Sequence, residues 1–179
     1  MNIKVIYHCY GSAHTSVVTA AIHAGLLPRD RVPSARQLMA VPHFDRTPSC
    51  VIGTPFRMGF DNAGNEVFAI GRGHARAVAE RALYSLARLI RYPDDSFLVV
   101  NALAVADLWT TIGGTISRGL GLTPWGRPIV IHGVRRSYRR LVALVEQTEL
   151  TVLRMRKRGD VRQGANMTLV VKLDKGGHV

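Results

Sequence analysis

The chain has 179 residues and a net charge of +12, with 24 Lys and Arg set against 12 Asp and Glu. A hydrophobic content of 47% is enough for one core, two cysteines are too few for a disulfide framework, and the longest apolar run, residues 97–106, is about half of what a membrane span needs. The charge balance implies attraction to polyanions: nucleic acid, an anionic surface or phosphorylated ligands.

Residues 3–8 read as a buried strand, β-branched and apolar. A tight polar turn follows and opens into a helix over residues 15–27, with Val17, Val18, Ala21, Ile22 and Ala24 crowding one side. Gly25 and Pro28 end it. Ser34 is placed to cap a short helix over 35–40, which Pro42 stops. Residues 43–55 are irregular. Two strand-like runs, 56–60 and 66–70, flank a turn-forming loop at 61–65 and predict a β-hairpin. The segment 74–91 is the best amphipathic helix, with Ala77, Val78, Leu83, Leu86, Ala87 and Ile90 on one face. Arg72, between two glycines, reads as a solvated turn residue.

Residues 97–100 read as a strand buried on both faces, with Asn101 at its carboxyl end. A helix over 103–120 is expected, although Gly113 and Gly114 would weaken it or admit a close neighbour. Trp109 and Trp125 read as core or partner-facing residues. A third strand at 128–132 and an amphipathic helix at 134–150 complete the pattern. The expected organisation is one domain over 1–150 and a basic tail over 151–179, with a weak edge strand at 167–173. Strands alternating with helices imply right-handed parallel crossovers. The expected fold is α/β: a small three-layer Rossmann-like or P-loop-like domain with a mainly parallel sheet and one inserted β-hairpin. Ligands of such sheets sit beyond the carboxyl ends of the strands, here near 8–12, Asn101 and His132.

The corner at residues 9–16 carries the chemistry. The first N–H groups of a helix have no intrahelical partner and lie at the positive end of its dipole, so this end attracts anions. Gly11, Ser12, Ala13, His14, Thr15 and Ser16 half-match the phosphate loop G-x-x-x-x-G-K-S/T, with Ala13 in place of glycine and His14 in place of lysine. Ordinary nucleotide hydrolysis lacks its cation there, and Asn101 stands where a magnesium-binding aspartate is expected. The same residues half-match the low-molecular-weight phosphatase loop C-x5-R-S/T, with Cys9 as nucleophile and Thr15 in place of the arginine clamp. Arg118, from another segment, is the candidate replacement cation. Neighbouring His8 and Cys9 point to opposite faces of a strand, which argues against a shared metal ion.

The run from Tyr7 to Ser16, continued by Val17, Val18 and Ala20 to His23, resembles the signature of a bacterial domain-of-unknown-function family, number three-one-eight-nine. The segments 113–118 and 126–128 fit it too. The resemblance implies a small bacterial α/β protein and supplies no activity.

The expectation is therefore a cytoplasmic protein that binds a phosphorylated small molecule, with a nucleotide and magnesium as one form of that ligand and phosphoryl-transfer chemistry as the activity such a site could support. Cys9 and His14 are the candidate catalytic residues. Tyr10, Gly11, Ser12, Ala13, Thr15, Ser16, Asn101, Arg118 and His132 are the candidate ligand-binding residues. The alternative is a nucleic-acid or anionic-surface binding module using the basic helix and tail over 135–158.

Overall fold

A computed structural model describes residues 2–91, 93, 96–119 and 122–159. Four strands form one sheet in the order β2-β3-β1-β4. They are β1 (Lys4–Cys9), β2 (Phe56–Phe60), β3 (Glu66–Gly71) and β4 (Phe97–Asn101). β1 is central and parallel to both neighbours, with His8 opposite Ile70 and Asn101. β2 pairs antiparallel with β3 and makes the expected hairpin. Its turn is built by Asp61, whose Oδ1 accepts the Ala63 and Asn65 N–H groups at 2.9 and 2.8 Å. That is a side-chain replacement for backbone turn bonds.

The helices are α1 (Thr15–His23), α2 (Ala35–Ala40), α3 (Arg76–Leu89), α4 (Leu108–Gly114) and α5 (Thr123–Gly159). α1 is buried along its whole length, because its small and β-branched residues let sheet and helix approach on every side. α2 begins with a capping box in which Ser34 Oγ accepts the Gln37 N–H and Gln37 Oε1 accepts the Ser34 N–H. The two sheet faces are told apart by successive β1 side chains. The Tyr7 hydroxyl lies 2.8 Å from His23 Nδ1 on α1, whereas His8 Nε2 lies 3.0 Å from Glu80 Oε1 on α3. α1 and α5 cover the first face, and α3 covers the second over Ile70 and Val99.

The chain leaves β1 for the first face and leaves β3 for the second. Adjacent parallel strands whose chains diverge in this way open a crevice beyond their carboxyl ends.

The third strand expected at 128–132 is not formed. Those residues lie inside α5, a helix of 37 residues. Their β-branched run carries a strand-like preference that packing overrides. Val130, Val134, Tyr138, Leu141, Leu144 and Val145 turn one stripe of α5 into the core, and each such burial is worth about 1.5–3 kcal/mol. Two glycines set how closely α5 approaches its neighbours. A Cβ on Gly126 would stand 2.3 Å from the Ser117 backbone nitrogen, and one on Gly133 would stand 2.3 Å from that of Thr110.

The helix expected over 103–120 is three pieces: a 3-10 turn (Ala102–Val105), α4, and a π-helical turn (Thr115–Gly119). Asp107 makes the break, since its Oδ1 accepts the Trp109 N–H at 3.0 Å and so starts α4 afresh. α5 continues through residue 150, and Val152 is buried against the core. The weak strand expected at 167–173 lies outside the described residues. Among the described residues no helix is long and apolar enough to cross a membrane.

Candidate functional site

The carboxyl end of β1 runs into a loop at 10–14 that is held on two sides. On one side the chain after β3 continues the ladder: the Arg72 N–H donates to Cys9 O at 3.0 Å, and the Gly73 N–H donates to Tyr10 O at 2.9 Å. On the other side, residues 43–47 lie against the loop. The Asp45 N–H donates to Ala13 O at 2.8 Å, and Thr47 Oγ1 donates to Ser12 O at 2.9 Å.

Both loops carry backbone strain. Ser12, His43 and Asp45 have φ of 53°, 66° and 50°, the left-handed region that non-glycine residues seldom enter. Such conformations persist only where surrounding bonds over-determine them, as these do.

Between the loops and α4 lies a cleft of about 620 Å³, in the range of small-ligand sites. Cys9, Tyr10, Gly11, Ala13, His14 and Thr15 line its floor, and Thr47, Ile52, His74, Leu103, Thr110, Thr111, Gly114 and Thr115 form its walls. No Asp, Glu, Lys or Arg is among them. α1 opens into this space without a capping side-chain bond and without an acidic residue in its first turn. The unpaired N–H groups of a helix's first turn and the dipole behind them supply positive potential at this end.

The candidate residues divide clearly. Cys9 is buried with 4% exposure, and its Sγ lies 3.0 Å from Ser16 Oγ. Ser16 is fully buried and spends its hydroxyl on that sulfur. Ser12 turns its Oγ into the interior, where it has no hydrogen-bond partner. His14 Nε2 lies 3.1 Å from Asp45 Oδ1. Asn101 is on the same sheet edge as the loop but caps its own turn, accepting the Leu103 N–H at 3.2 Å. It is not among the residues lining the cleft. Arg118 lies in the π-helical turn, and its side chain falls outside what the structure describes. His132 does not join the site: placed on α5 rather than at a strand end, it is exposed beside Trp109 and lines a separate groove with Arg127 and Arg135. The reason is the helical course of 128–132, which removes the strand end expected there.

Two networks lie outside those expectations. Asp45 is 1% exposed and accepts from Ser117 Oγ at 2.7 Å and from Arg127 Nε at 2.7 Å. Burial alone would raise its carboxyl pKa, but bonds from His14, Arg127 and Ser117 reverse this and hold it down at about 2. On the far side of α1, Glu149 binds Arg29 through both oxygens at 2.7 and 2.9 Å. Burial holds His23 below its ordinary pKa and Tyr7 above its own. Tyr7 therefore keeps its phenolic proton, and its hydroxyl and His23 Nδ1 share one hydrogen bond.

A family model described as "Protein of unknown function (DUF3189)" matches residues 4–149. The chain belongs to the DUF3189 family. No curated protein and no solved structure matches it. The DUF3189 match spans every element around the cleft, from β1 through the first two thirds of α5.

Asp45, Thr47, His74 and the threonines of α4 were not visible as site residues in the sequence. The one available signal was polar residues gathered in an irregular segment between Pro42 and Pro48, which cannot be placed without the fold. Gly114 was marked for close approach, and it does face His14: a Cβ there would stand 3.2 Å from His14 Nδ1.

Proposed function

We propose that this DUF3189 protein binds a phosphorylated small molecule in the cleft, with the phosphate on the amino-terminal turn of α1. The observation that carries the reading is the uncapped first turn of a nine-residue helix opening into a cleft of about 620 Å³ that no carboxylate lines among the described residues. Thr15 and the threonines of α4 offer hydroxyl donors around it. Ala13, Ile52 and Leu103 provide apolar wall for the organic part of the ligand, and a nucleoside monophosphate is of the right kind.

Magnesium does not fit the residues present. Ser16 is bonded to Cys9, Asn101 caps Leu103, and no carboxylate lines the cleft to hold a divalent ion. Binding is therefore expected without metal. Phosphoryl transfer through Cys9 has one geometric point in its favour: Ser16 stands on the sulfur at the spacing of the phosphatase loop. The arginine of that loop is replaced by Thr15, and no guanidinium lines the cleft among the described residues.

The test is a thermal melt with a nucleoside monophosphate, with and without magnesium, on the wild type and on Thr15→Ala. Stabilisation independent of magnesium and weakened in Thr15→Ala is expected. Absence of any shift at millimolar ligand contradicts the reading.

A second reading rests on α5. Arg135, Arg136, Arg139 and Arg140 are exposed there, and Arg136 and Arg140 are only loosely tied to Asp107, at 3.5 and 3.3 Å. We infer that this face would bind nucleic acid or another polyanion non-specifically. On duplex DNA the affinity should fall with salt at a log–log slope of about −0.9 per phosphate contacted. Binding that does not respond to salt removes this reading.

A further inference from the structure

His14 is held in one protonation geometry. Asp45 is a carboxylate at neutral pH and can only accept, so the 3.1 Å contact between His14 Nε2 and Asp45 Oδ1 places a hydrogen on Nε2. The carboxylate cannot turn away, because Ser117 Oγ donates to the same oxygen and Arg127 Nε donates to the other, each at 2.7 Å. The second ring nitrogen, Nδ1, has no hydrogen-bond partner among the described residues. It faces Gly114 on the cleft wall, where the missing side chain leaves it uncovered.

Among the described residues that line the cleft none is Lys or Arg, and the one other histidine is His74. His74 Nε2 is 2.7 Å from the Tyr10 hydroxyl, Cys9 Sγ is on Ser16, and the guanidinium of Arg127 meets His14 only through Asp45. His43 is stacked on Phe56 rather than turned to the ring of His14.

We propose that His14 is the residue through which the cleft exchanges a proton with its anionic ligand, and that Asp45 is the residue that positions it. The proposal rests on the anion-binding reading given above. When the ring is neutral with its hydrogen on Nε2, Nδ1 presents a lone pair, which repels a dianion such as a phosphate monoester. As the dianion binds, one proton is taken from solvent and one N–H bond forms at Nδ1. The acceptor becomes a charged donor to a ligand oxygen, while Nε2 keeps its hydrogen on Asp45. The imidazolium then lies between two anions, which is the arrangement that favours its charged form. Because one proton is taken up per ligand, affinity falls as pH rises, with a limit of about tenfold per pH unit.

The test uses sulfate, which stays a dianion while histidine titrates, so that all pH dependence belongs to the protein. Its dissociation constant is measured by calorimetry between about pH 5.5 and 8.5. In the wild type the constant should rise toward tenfold per unit at the alkaline end. His14→Gln should bind more weakly at the acid end and show a flat profile. In Asp45→Asn the rise should begin at lower pH, because the imidazolium has lost its partner. Nitrogen NMR of ligand-free wild type at alkaline pH, which needs no variant, should show the tautomer with hydrogen on Nε2.

A wild-type constant independent of pH, or hydrogen on Nδ1 in the free protein, overturns this assignment while leaving the anion site intact. Failure of sulfate to bind at any pH overturns the anion-binding reading, and the proton exchange with it.

Discussion

Replacing Asp45 by Asn tests the clamp that joins three parts of the site. Asp45 stands between His14 at the start of α1, Ser117 in the π-helical turn and Arg127 on α5, with 1% of its surface exposed. Its carboxyl is held at about 2 against an ordinary value of 3.8, a difference worth about 2 kcal/mol. The folded state is therefore the weaker proton binder. The contribution is complete above pH 4 or thereabouts and is lost as pH falls through about 2. Asn cannot be protonated and offers one acceptor oxygen where three donors converge. Urea unfolding at pH 7 should show Asp45→Asn less stable by about 2 kcal/mol, with a lower midpoint and an unchanged slope. Near pH 2.5 most of that deficit should be gone, because the unfolded chain has taken up its proton there while the folded carboxyl is only beginning to. A deficit that is the same at both pH values, or none at pH 7, refutes the clamp as the source of the depressed pKa.

Further outcomes follow from the same geometry. Gly126→Ala and Gly133→Ala each force a Cβ to within 2.3 Å of a backbone nitrogen, so each should cost about 3 kcal/mol, at the upper end of overpacking, as read by thermal or urea unfolding; a neutral alanine would mean that α5 stands farther from α4 and the π-helical turn. His23 is buried and its pKa is held below the ordinary 6.5, so the unfolded chain gains a proton that the folded one refuses. Stability should decline as pH drops below about 6.5, and His23→Gln should flatten that decline; an equal slope in both proteins would place the titrating group elsewhere. With Cys50, which is exposed, replaced by Ser, alkylation of Cys9 by iodoacetamide should be slow and slowed further by phosphate, since Cys9 is 4% exposed at the cleft floor; labelling indifferent to phosphate would separate the sulfur from the ligand.

What could be read from the sequence and what could not have physical causes. β1, the hairpin, α2 and β4 announce themselves through local signals: a β-branched run, Asp61 with Gly64 in a turn, and Ser34 with Gln37 in a capping box. The corner from Cys9 to Ser16 was legible because strand, turn and helix start are contiguous in the chain. The run at 128–132 reads as a strand because Ile129, Val130 and Ile131 favour one locally, while the glycines at 126 and 133 let α5 pack closely on the π-helical turn and α4 and bury Val130 as helix. Asp45 was not legible at all. Its partners lie 31, 72 and 82 residues away, and nothing in the segment around it marks a buried carboxylate.

The central claim is that an anion sits on the first turn of α1. It is tested most directly by titrating inorganic phosphate into the isotope-labelled protein and following backbone amide shifts. Saturable shifts should concentrate at residues 11–18, with His14 and Gly114 among those affected and the face of α5 at 135–140 unmoved. Shifts confined to that arginine face, or none at the α1 turn at saturating phosphate, would contradict it.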